Sequence, residues 1–253
     1  MKASITVQVE ELVAEPYASV VCYPRASSSE MLSRLEELKK LGVDALEFSG
    51  KGAAFTLPVL GKGYVGIVVV AHIGSVKYAL KMQRVDSDRE SLEREAELLA
   101  KANNVSVGPN LIGVTKHFLL MELVDGDLFE MWMEKHQSPP PVRKALMDIL
   151  EQCWRLDQIG LDHGELSKAP KHLLMNSADK PFIVDFETAS TNRNASNVTS
   201  VCQFLFQGNS NVCKAIAELL GQRERDKLVR ALKSYKKERT RMNFEAILEV
   251  CLS

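Results

Sequence analysis

The sequence lacks a long hydrophobic run and has few cysteines. Its longest uninterrupted apolar stretch is VGIVVVA at residues 65–71, whereas a transmembrane helix needs about 20 residues. The five cysteines are scattered and form no CxxC pair, which argues against a zinc site and against a disulfide framework. The N-terminal residues MKASITVQVEEL contain no apolar core of a secretory signal. We therefore expect a cytoplasmic protein with reduced thiols and no membrane partner.

The sequence also has no excess of charge of either sign. It contains 32 Lys and Arg against 33 Asp and Glu, so the chain as a whole has no electrostatic attraction for nucleic acid. One basic segment, residues 223–241, holds nine Lys and Arg against three Asp and Glu. A solvated helix face is the expected interpretation of this segment, and a patch that contacts phosphate or RNA is the alternative. The 253 residues are enough for one large domain or for two lobes with their own cores.

Three glycines, Gly61, Gly63 and Gly66, lie between β-branched segments in VLGKGYVGIVVV, residues 59–70. Glycine permits turned backbone whose N–H groups approach a ligand without a Cβ in the way. The pattern alone is weak, because it also fits a dinucleotide-binding turn. Such a turn opens a helix, whereas residues 67–71, IVVVA, predict a strand. The segment is therefore predicted to be a strand–glycine loop–strand that covers phosphates.

A lysine and a glutamate that follow the glycines are predicted to form an ion pair. Lys81 lies in a predicted strand, SVKYALKMQR at residues 75–84. Glu95 falls on the apolar face of the next predicted helix, for which Ser87 and Glu90 have capping-box spacing. A carboxylate on an apolar face is costly unless a cation meets it. We expect the pair to hold Lys81 extended toward the phosphates of a nucleotide.

Two further motifs complete the pattern. His163-Gly164-Glu165-Leu166 resembles the HGD-L catalytic loop of atypical and small-molecule kinases, and Asp185-Phe186-Glu187 resembles their metal-binding DFG turn. All the motifs occur in kinase order and with kinase spacing over residues 53–190. The chain thus resembles small atypical protein kinases, in particular predicted archaeal serine/threonine kinases with an HGEL loop and a DFE turn, which are related to RIO-type kinases.

This resemblance implies an α+β, bilobal protein kinase-like fold. Its expected divisions are an N-terminal β-α-β extension at residues 1–50, a β-rich N-lobe at 51–124 and a reduced helical C-lobe at 125–253. In the extension, residues 19–23 are predicted to be a strand, Ser27 and Glu30 to cap a helix, and residues 45–48 to be another strand. In the C-lobe, the expected helices are residues 127–137, residues 142–159 after the Pro139–Pro141 break, residues 197–207 and two or three in the tail.

The resemblance also implies ATP and Mg²⁺ as cofactors and assigns the site. Glu165 would accept the hydroxyl proton, Lys168 and Lys81 would contact phosphates, and Asp185 would chelate the metal. Near the adenine, Met121 would border the pocket, Glu122 and Val124 would offer backbone groups, and Asp127 would reach the ribose. The full expected nucleotide set is Gly61, Lys62, Gly63, Gly66, Val68, Ala79, Lys81, Glu95, Met121, Glu122, Val124, Asp127 and Leu173.

Two departures from the kinase pattern concern the catalytic loop. Glu165 is one methylene longer than the usual aspartate. Pro170 stands where a kinase has its metal-binding asparagine, and either Lys171 or His172 takes that place. We expect one firm metal site, with the second weakened or absent.

The expected activity is transfer of the γ-phosphoryl group of ATP to a Ser or Thr hydroxyl of a protein substrate. Because of Glu165 and the missing asparagine, a nucleotide-binding pseudokinase scaffold is one alternative. A small-molecule kinase is another, since HGD-type loops also serve such enzymes. Only about ten residues separate Glu187 from the next predicted helix, and no APE motif follows. A long activation loop is therefore not expected.

Overall fold

The structure is a computed structural model that describes residues 4–253. The chain forms two compact units. The first comprises the residues up to Glu97 together with Asn110–Leu123, and the second comprises Leu98–Pro109 together with Val124–Ser253. An antiparallel sheet dominates the first unit, and helices dominate the second. This composition confirms the predicted α+β, kinase-like fold class. Among residues 4–253, no helix combines the length and the hydrophobicity that a bilayer span requires.

The first unit is organised around an antiparallel seven-stranded sheet. Its strands are joined in the order β1-β2-β6-β7-β9-β8, with β5 paired to β6, while β3 and β4 form a separate hairpin. The strands of this unit are β1 (Ile5–Gln8), β2 (Ala45–Phe48), β3 (Gly52–Ala54), β4 (Leu57–Val59), β5 (Gly61–Lys62), β6 (Gly66–Ile73), β7 (Val76–Gln83), β8 (Leu111–Val114) and β9 (Phe118–Glu122). The β-branched run in β6 suits this central position, where Val69 is fully buried.

The first unit also contains helices, and helices make up most of the second. A short 3₁₀ helix, Val9–Val13, precedes α1, and a π-helical segment, Gln203–Gln207, continues α6. The α-helices are α1 (Tyr17–Val21), α2 (Ser28–Lys40), α3 (Glu93–Asn103), α4 (Phe129–Lys135), α5 (Pro139–Gln158), α6 (Asn197–Cys202), α7 (Asn211–Leu220), α8 (Arg225–Lys237) and α9 (Arg241–Leu252). The predicted helices at 197–207 and in the tail are confirmed.

The first fifty residues contribute directly to the main sheet, because β2 pairs with both β1 and β6. The predicted strand at residues 45–48 is confirmed, and so is the cap of α2, where the Ser27 hydroxyl accepts a hydrogen bond from the Glu30 N–H. The predicted strand at residues 19–23 is wrong. Residues 19–21 belong to α1, which starts after Pro16 and buries Val20 and Val21, and residues 22 and 23 lie in the turn that follows. A short apolar run is compatible with either structure, and here packing selects the helix.

Two further helix predictions need correction. The capping box at Ser87 is wrong, because its hydroxyl accepts a hydrogen bond from the Arg89 N–H in a local turn, and α3 begins only at Glu93. The three prolines at 139–141 do not form the break between α4 and α5, which lies at residues 136–138. They form the first turn of α5, where a missing N–H costs no intrahelical hydrogen bond.

The second unit has its own small sheet and a buried polar junction. The strands β10 (Gly126–Leu128), β11 (Leu173–Asn176) and β12 (Pro181–Ile183) pair antiparallel in that order. Asp157 of α5 accepts hydrogen bonds from the backbone N–H groups of Asn197 and Val198 and from the Tyr235 hydroxyl. Burial raises the pKa of the Asp157 carboxyl. This carboxyl therefore joins α5 to α6 and α8.

Candidate functional site

The glycine segment of the first unit has the predicted strand–loop–strand form. β5 and β6 pair antiparallel, with Gly61 opposite Val68, and the Gly63 N–H donates to the Gly66 carbonyl across the turn at 2.8 Å. A Cβ on Gly66 would lie 2.8 Å from the Met82 carbonyl and 3.1 Å from Lys81 Cγ. Glycine at position 66 thus allows β6 to approach the strand that carries Lys81.

Three successive residues of the glycine loop are held by side-chain contacts. Lys62 Nζ lies 2.9 Å from the Tyr23 hydroxyl. The Gly63 carbonyl accepts a hydrogen bond from Arg84 at 3.3 Å, and the Tyr64 hydroxyl donates to Asp88 at 3.0 Å. The Lys62 ammonium, predicted to contact a nucleotide, is therefore engaged with the N-terminal segment. Its nucleotide role stays a prediction.

The predicted lysine–glutamate pair is present and buried. Lys81 Nζ lies 2.9 Å from both carboxylate oxygens of Glu95, and the two side chains are 6% and 7% exposed. Lys81 is opposite Val68 on one neighbouring strand and Leu119 on the other. Removing either partner of such a pair leaves a buried charge next to apolar side chains, which is strongly destabilising. The pair fixes the lysine on the sheet.

The residues predicted to contact adenine and ribose fall on both units. Ala79 pairs with Met121, the penultimate residue of β9. The Glu122 carboxylate accepts hydrogen bonds from the backbone and side-chain N–H groups of Asn110. In the second unit, Asp127 of β10 forms an ion pair with Lys135. The predicted backbone contacts of Glu122 and Val124 with adenine stay predictions.

His163 joins the HGEL and DFE segments of the second unit, which are predicted to be catalytic. Its ring is fully buried, with Nε2 3.0 Å from the Val184 carbonyl, and it packs edge-on against Phe186. Its backbone N–H donates to the Asn197 side chain, which belongs to the Asp157 junction. Burial lowers the pKa of His163 to about 4, because desolvation disfavours the imidazolium. The ring is thus a neutral structural link between the HGEL and DFE segments.

This burial predicts a pH dependence of stability. The unfolded chain, with a His pKa near 6.5, binds more protons than the folded chain between about pH 4 and pH 6.5. Stability is therefore fully present above this window and falls as the pH is lowered through it. Between pH 7 and pH 5, His163 should account for a loss of about 2 kcal/mol.

Urea unfolding of the wild type and of His163→Gln at both pH values measures this contribution. The variant should lose about 2 kcal/mol less than the wild type on acidification. Equal losses in the two proteins would show that His163 titrates normally in the folded state.

The HGEL turn requires its glycine. Gly164 has a φ of +92°, and a Cβ there would lie 3.1 Å from the Thr188 carbonyl. The turn directs Glu165 into a half-buried position, and the following 3₁₀ helix, Leu166–Lys171, carries Lys168 on the surface. Lys168 is thus exposed, as expected for a residue that contacts an incoming phosphate.

His172 lies beside the two carboxylates that are predicted to serve catalysis. Its Nε2 is 3.0 Å from Glu165 Oε2, and its Nδ1 is 3.8 Å from Asp185 Oδ2. The imidazole is buried, whereas Lys171 is exposed at the end of the 3₁₀ helix. Of the two residues considered for the asparagine's place, the structure therefore brings His172 to the carboxylates. Its contact with Glu165 was not predicted; the displacement of the asparagine's place from Pro170 to Lys171 or His172 was the available signal.

Asp185, which is predicted to bind the metal, has an unusual backbone conformation. It follows β12 with a φ of +69°, a left-handed conformation that is uncommon outside glycine and concentrates at functional sites. Its carboxylate is half-buried, as is that of Glu187 two residues later. Carboxylate oxygens are the protein ligands that Mg²⁺ prefers. Leu173, predicted to line the nucleotide pocket, is buried in β11 opposite Ile183.

Comparison with known proteins supports this interpretation. The family model of the RIO domain matches residues 74–201, just over half of the chain. The matched range includes Lys81, Glu95, Glu165, His172 and Asp185. The chain is also 30% identical, over 100 residues, to the uncharacterized protein MJ1211 of Methanocaldococcus jannaschii, an alignment that covers 40% of this chain and 83% of that protein. The chain therefore belongs to the RIO family of atypical kinases, which are ATP-binding phosphotransferases.

Proposed function

We propose that this protein transfers the γ-phosphoryl group of ATP, bound with Mg²⁺, to a Ser or Thr hydroxyl of a protein. The observation that carries the proposal is the arrangement in the second unit, where His172 lies within 4 Å of both Glu165 and Asp185. One carboxylate for the acceptor hydroxyl and one for the metal are what in-line phosphoryl transfer needs.

In the proposed reaction, the acceptor oxygen attacks the γ-phosphorus as the bond to the β,γ-bridging oxygen breaks. Glu165 takes the hydroxyl proton, and ADP leaves with the electrons of the broken bond. In the first unit, Lys81 holds phosphate oxygens, and Glu95 keeps the ammonium in place. In the second unit, Asp185 would hold Mg²⁺, which supplies charge neutralisation at the phosphates. Lys168 is exposed and would meet the transferred group.

Two observations support a protein acceptor. The Glu165 side chain is 43% exposed, so a hydroxyl on a large substrate has access to its carboxylate. Only residues 188–196 separate the DFE turn from α6, and this leaves no room for a long loop over the acceptor. Open access of this kind suits a surface side chain of a folded partner better than a small, enclosed metabolite.

The second candidate function is a nucleotide-binding scaffold without catalysis. One observation favours it: the side chain that lies beside both Glu165 and Asp185 is His172, which offers nitrogen and not the oxygen of the usual kinase asparagine. Mg²⁺ prefers oxygen ligands, so this replacement weakens binding of a second Mg²⁺. If the protein is catalytic, a small-molecule kinase is the alternative to a protein kinase.

The test compares Glu165→Gln with the wild type, using γ-labelled ATP and Mg²⁺. Generic protein acceptors and a panel of hydroxyl metabolites serve as substrates. Glu165→Gln should lower kcat roughly 10²–10⁴-fold, the usual contribution of a positioned general base, with ATP affinity retained. Glu134→Gln, an exposed carboxylate of α4, is the matched control and should keep full activity.

Each outcome selects one function. Label on protein acceptors that is lost in Glu165→Gln supports the protein kinase. Label on metabolites alone replaces it with the small-molecule kinase. ATP binding without turnover in the wild type supports the function of a nucleotide-binding scaffold.

A further inference from the structure

We infer that His172 Nδ1 and Asp185 form a mixed nitrogen–carboxylate site for a divalent cation, one that favours Mn²⁺ over Mg²⁺. The inference rests on the proposed function for the role of the cation in phosphoryl transfer, whereas binding of the cation is testable without any turnover. It concerns which ion the site selects.

The first argument is an unpartnered nitrogen in a buried ring. His172 is 7% exposed, and its Nδ1 is buried with no hydrogen-bond partner among the described residues. A buried polar atom without a partner is destabilising and is rare in folded proteins. Here that atom faces Asp185 Oδ2 at 3.8 Å. A cation that accepts a lone pair from each of these two atoms would give the buried nitrogen its missing partner.

The second argument is the position of the imidazole proton. Nε2 lies 3.0 Å from Glu165 Oε2, and an ionised carboxylate only accepts hydrogen bonds. In the neutral ring the proton is therefore expected on Nε2, because two lone pairs at this distance would repel each other. Nδ1 then carries the lone pair that a metal requires. A ligating histidine whose other nitrogen faces a carboxylate is the usual arrangement in metal sites, where the carboxylate fixes the tautomer.

The separation of the two atoms is compatible with one shared cation. Donor atoms that each bind a metal at about 2.0–2.2 Å lie roughly 2.8–3.1 Å apart at a right angle and roughly 3.3–3.6 Å apart at the tetrahedral angle. The observed 3.8 Å is slightly wider, so a bound cation would draw the Asp185 carboxylate and the imidazole a little closer together. The His172 carbonyl accepts a hydrogen bond from the Val184 N–H, which joins the backbone of His172 to the residue before Asp185. The ring is further fixed by its edge contact with His163, with centroids 5.3 Å apart.

The identity of the donors determines the preference of the site. Mg²⁺ binds oxygen and dehydrates reluctantly, whereas imidazole suits first-row transition ions. Mn²⁺ accepts carboxylate and water oxygens and also tolerates a nitrogen ligand, so it fits a site with one carboxylate and one imidazole. Replacing an amide oxygen by an imidazole nitrogen at this position therefore shifts affinity from Mg²⁺ toward Mn²⁺.

The test measures Mn²⁺ binding to the full chain by electron paramagnetic resonance, with a non-hydrolysable ATP analogue and no acceptor. Wild type should bind Mn²⁺ at least about tenfold more tightly than Mg²⁺ in competition. Its pulsed spectrum should show coupling to an imidazole ¹⁴N. His172→Asn should remove that coupling and reverse the preference. His136→Asn removes an imidazole at the C-terminal end of α4 in the same unit. This control should change neither the ¹⁴N coupling nor the ion preference.

Several outcomes would overturn the inference. These are a ¹⁴N coupling that persists in His172→Asn, an unchanged Mn²⁺ to Mg²⁺ ratio in that variant, or wild-type preference for Mg²⁺. Should His172→Asn fail to fold by circular dichroism, His172→Gln serves as the second variant with the same expected loss. If Mn²⁺ binds through His172 but no label is transferred with either ion, the cation site stands and the proposed kinase function fails.

Discussion

Replacing Asp185 by asparagine is expected to reduce phosphoryl transfer from ATP roughly 10³-fold or more. The carboxylate is the residue of the second unit assigned to the metal, and the neutral amide is a much weaker ligand for a divalent cation. Without the cation, negative charge on the phosphates is not neutralised as the bond to the leaving group breaks.

Asparagine is chosen because it removes the carboxylate and is compatible with the backbone conformation of the folded protein. Asp185 has a φ of +69°, and asparagine tolerates this left-handed backbone nearly as well as aspartate does. The variant should therefore unfold at the same urea concentration as the wild type. Alanine at this position would add backbone strain to the loss of the ligand, which makes it the less informative variant.

The measurement is initial-rate transfer of labelled phosphate, with urea unfolding of the same samples. Asp226→Asn, an exposed carboxylate on α8, is the control and should keep the wild-type rate. Retention of more than a tenth of the wild-type rate in Asp185→Asn would remove Asp185 from the metal site.

The second large effect is expected at Lys81, where activity and stability should fall together. Lys81→Met removes the cation that both carboxylate oxygens of Glu95 contact at 2.9 Å. Glu95 is 7% exposed, and breaking a buried ion pair by removing one partner typically costs about 3–5 kcal/mol. ATP affinity should fall as well, because the lysine is the residue of the first unit assigned to the phosphates.

A double variant distinguishes the two roles of this pair. Lys81→Met with Glu95→Leu replaces both charges by apolar side chains of similar volume, which is often neutral for stability. We expect it to recover most of the unfolding free energy and none of the activity. Recovery of activity in the double variant would mean that the pair serves stability alone, and the lysine would then have no part in catalysis.

Local sequence signals predicted those parts of the fold where neighbouring residues decide the structure. The Ser27 hydroxyl caps α2 as expected, since a cap needs only residues three positions apart. The glycine loop and the strand that carries Lys81 were predicted because their patterns also depend only on residues that are close in sequence. Residues 19–23 were misassigned because a short apolar run fits a strand and a helix equally, and only contacts with distant core residues select the helix.

The same distinction applies to the candidate site, where one contact follows from local sequence and another depends on strand register. The pairing of Lys81 with Glu95 was predictable, because a carboxylate on an apolar helix face demands a cation. The place of His172 was not, because it depends on where β11 begins after Pro170. That start is set by pairing with β12, in which Leu173 lies opposite Ile183. A one-residue difference in strand register decides which of two neighbouring side chains points inward.

The Asp157 junction has a consequence for how the chain folds. It connects the HGEL segment to the rest of the second unit through contacts between residues far apart in sequence. The Asn197 side chain accepts a hydrogen bond from the His163 N–H, 34 positions away, and the Tyr235 hydroxyl donates to Asp157, 78 positions away. Contacts of such high sequence separation form slowly, since long loops must close first. During synthesis the backbone of His163 therefore gains its full set of anchors only after α8 has been made and docked.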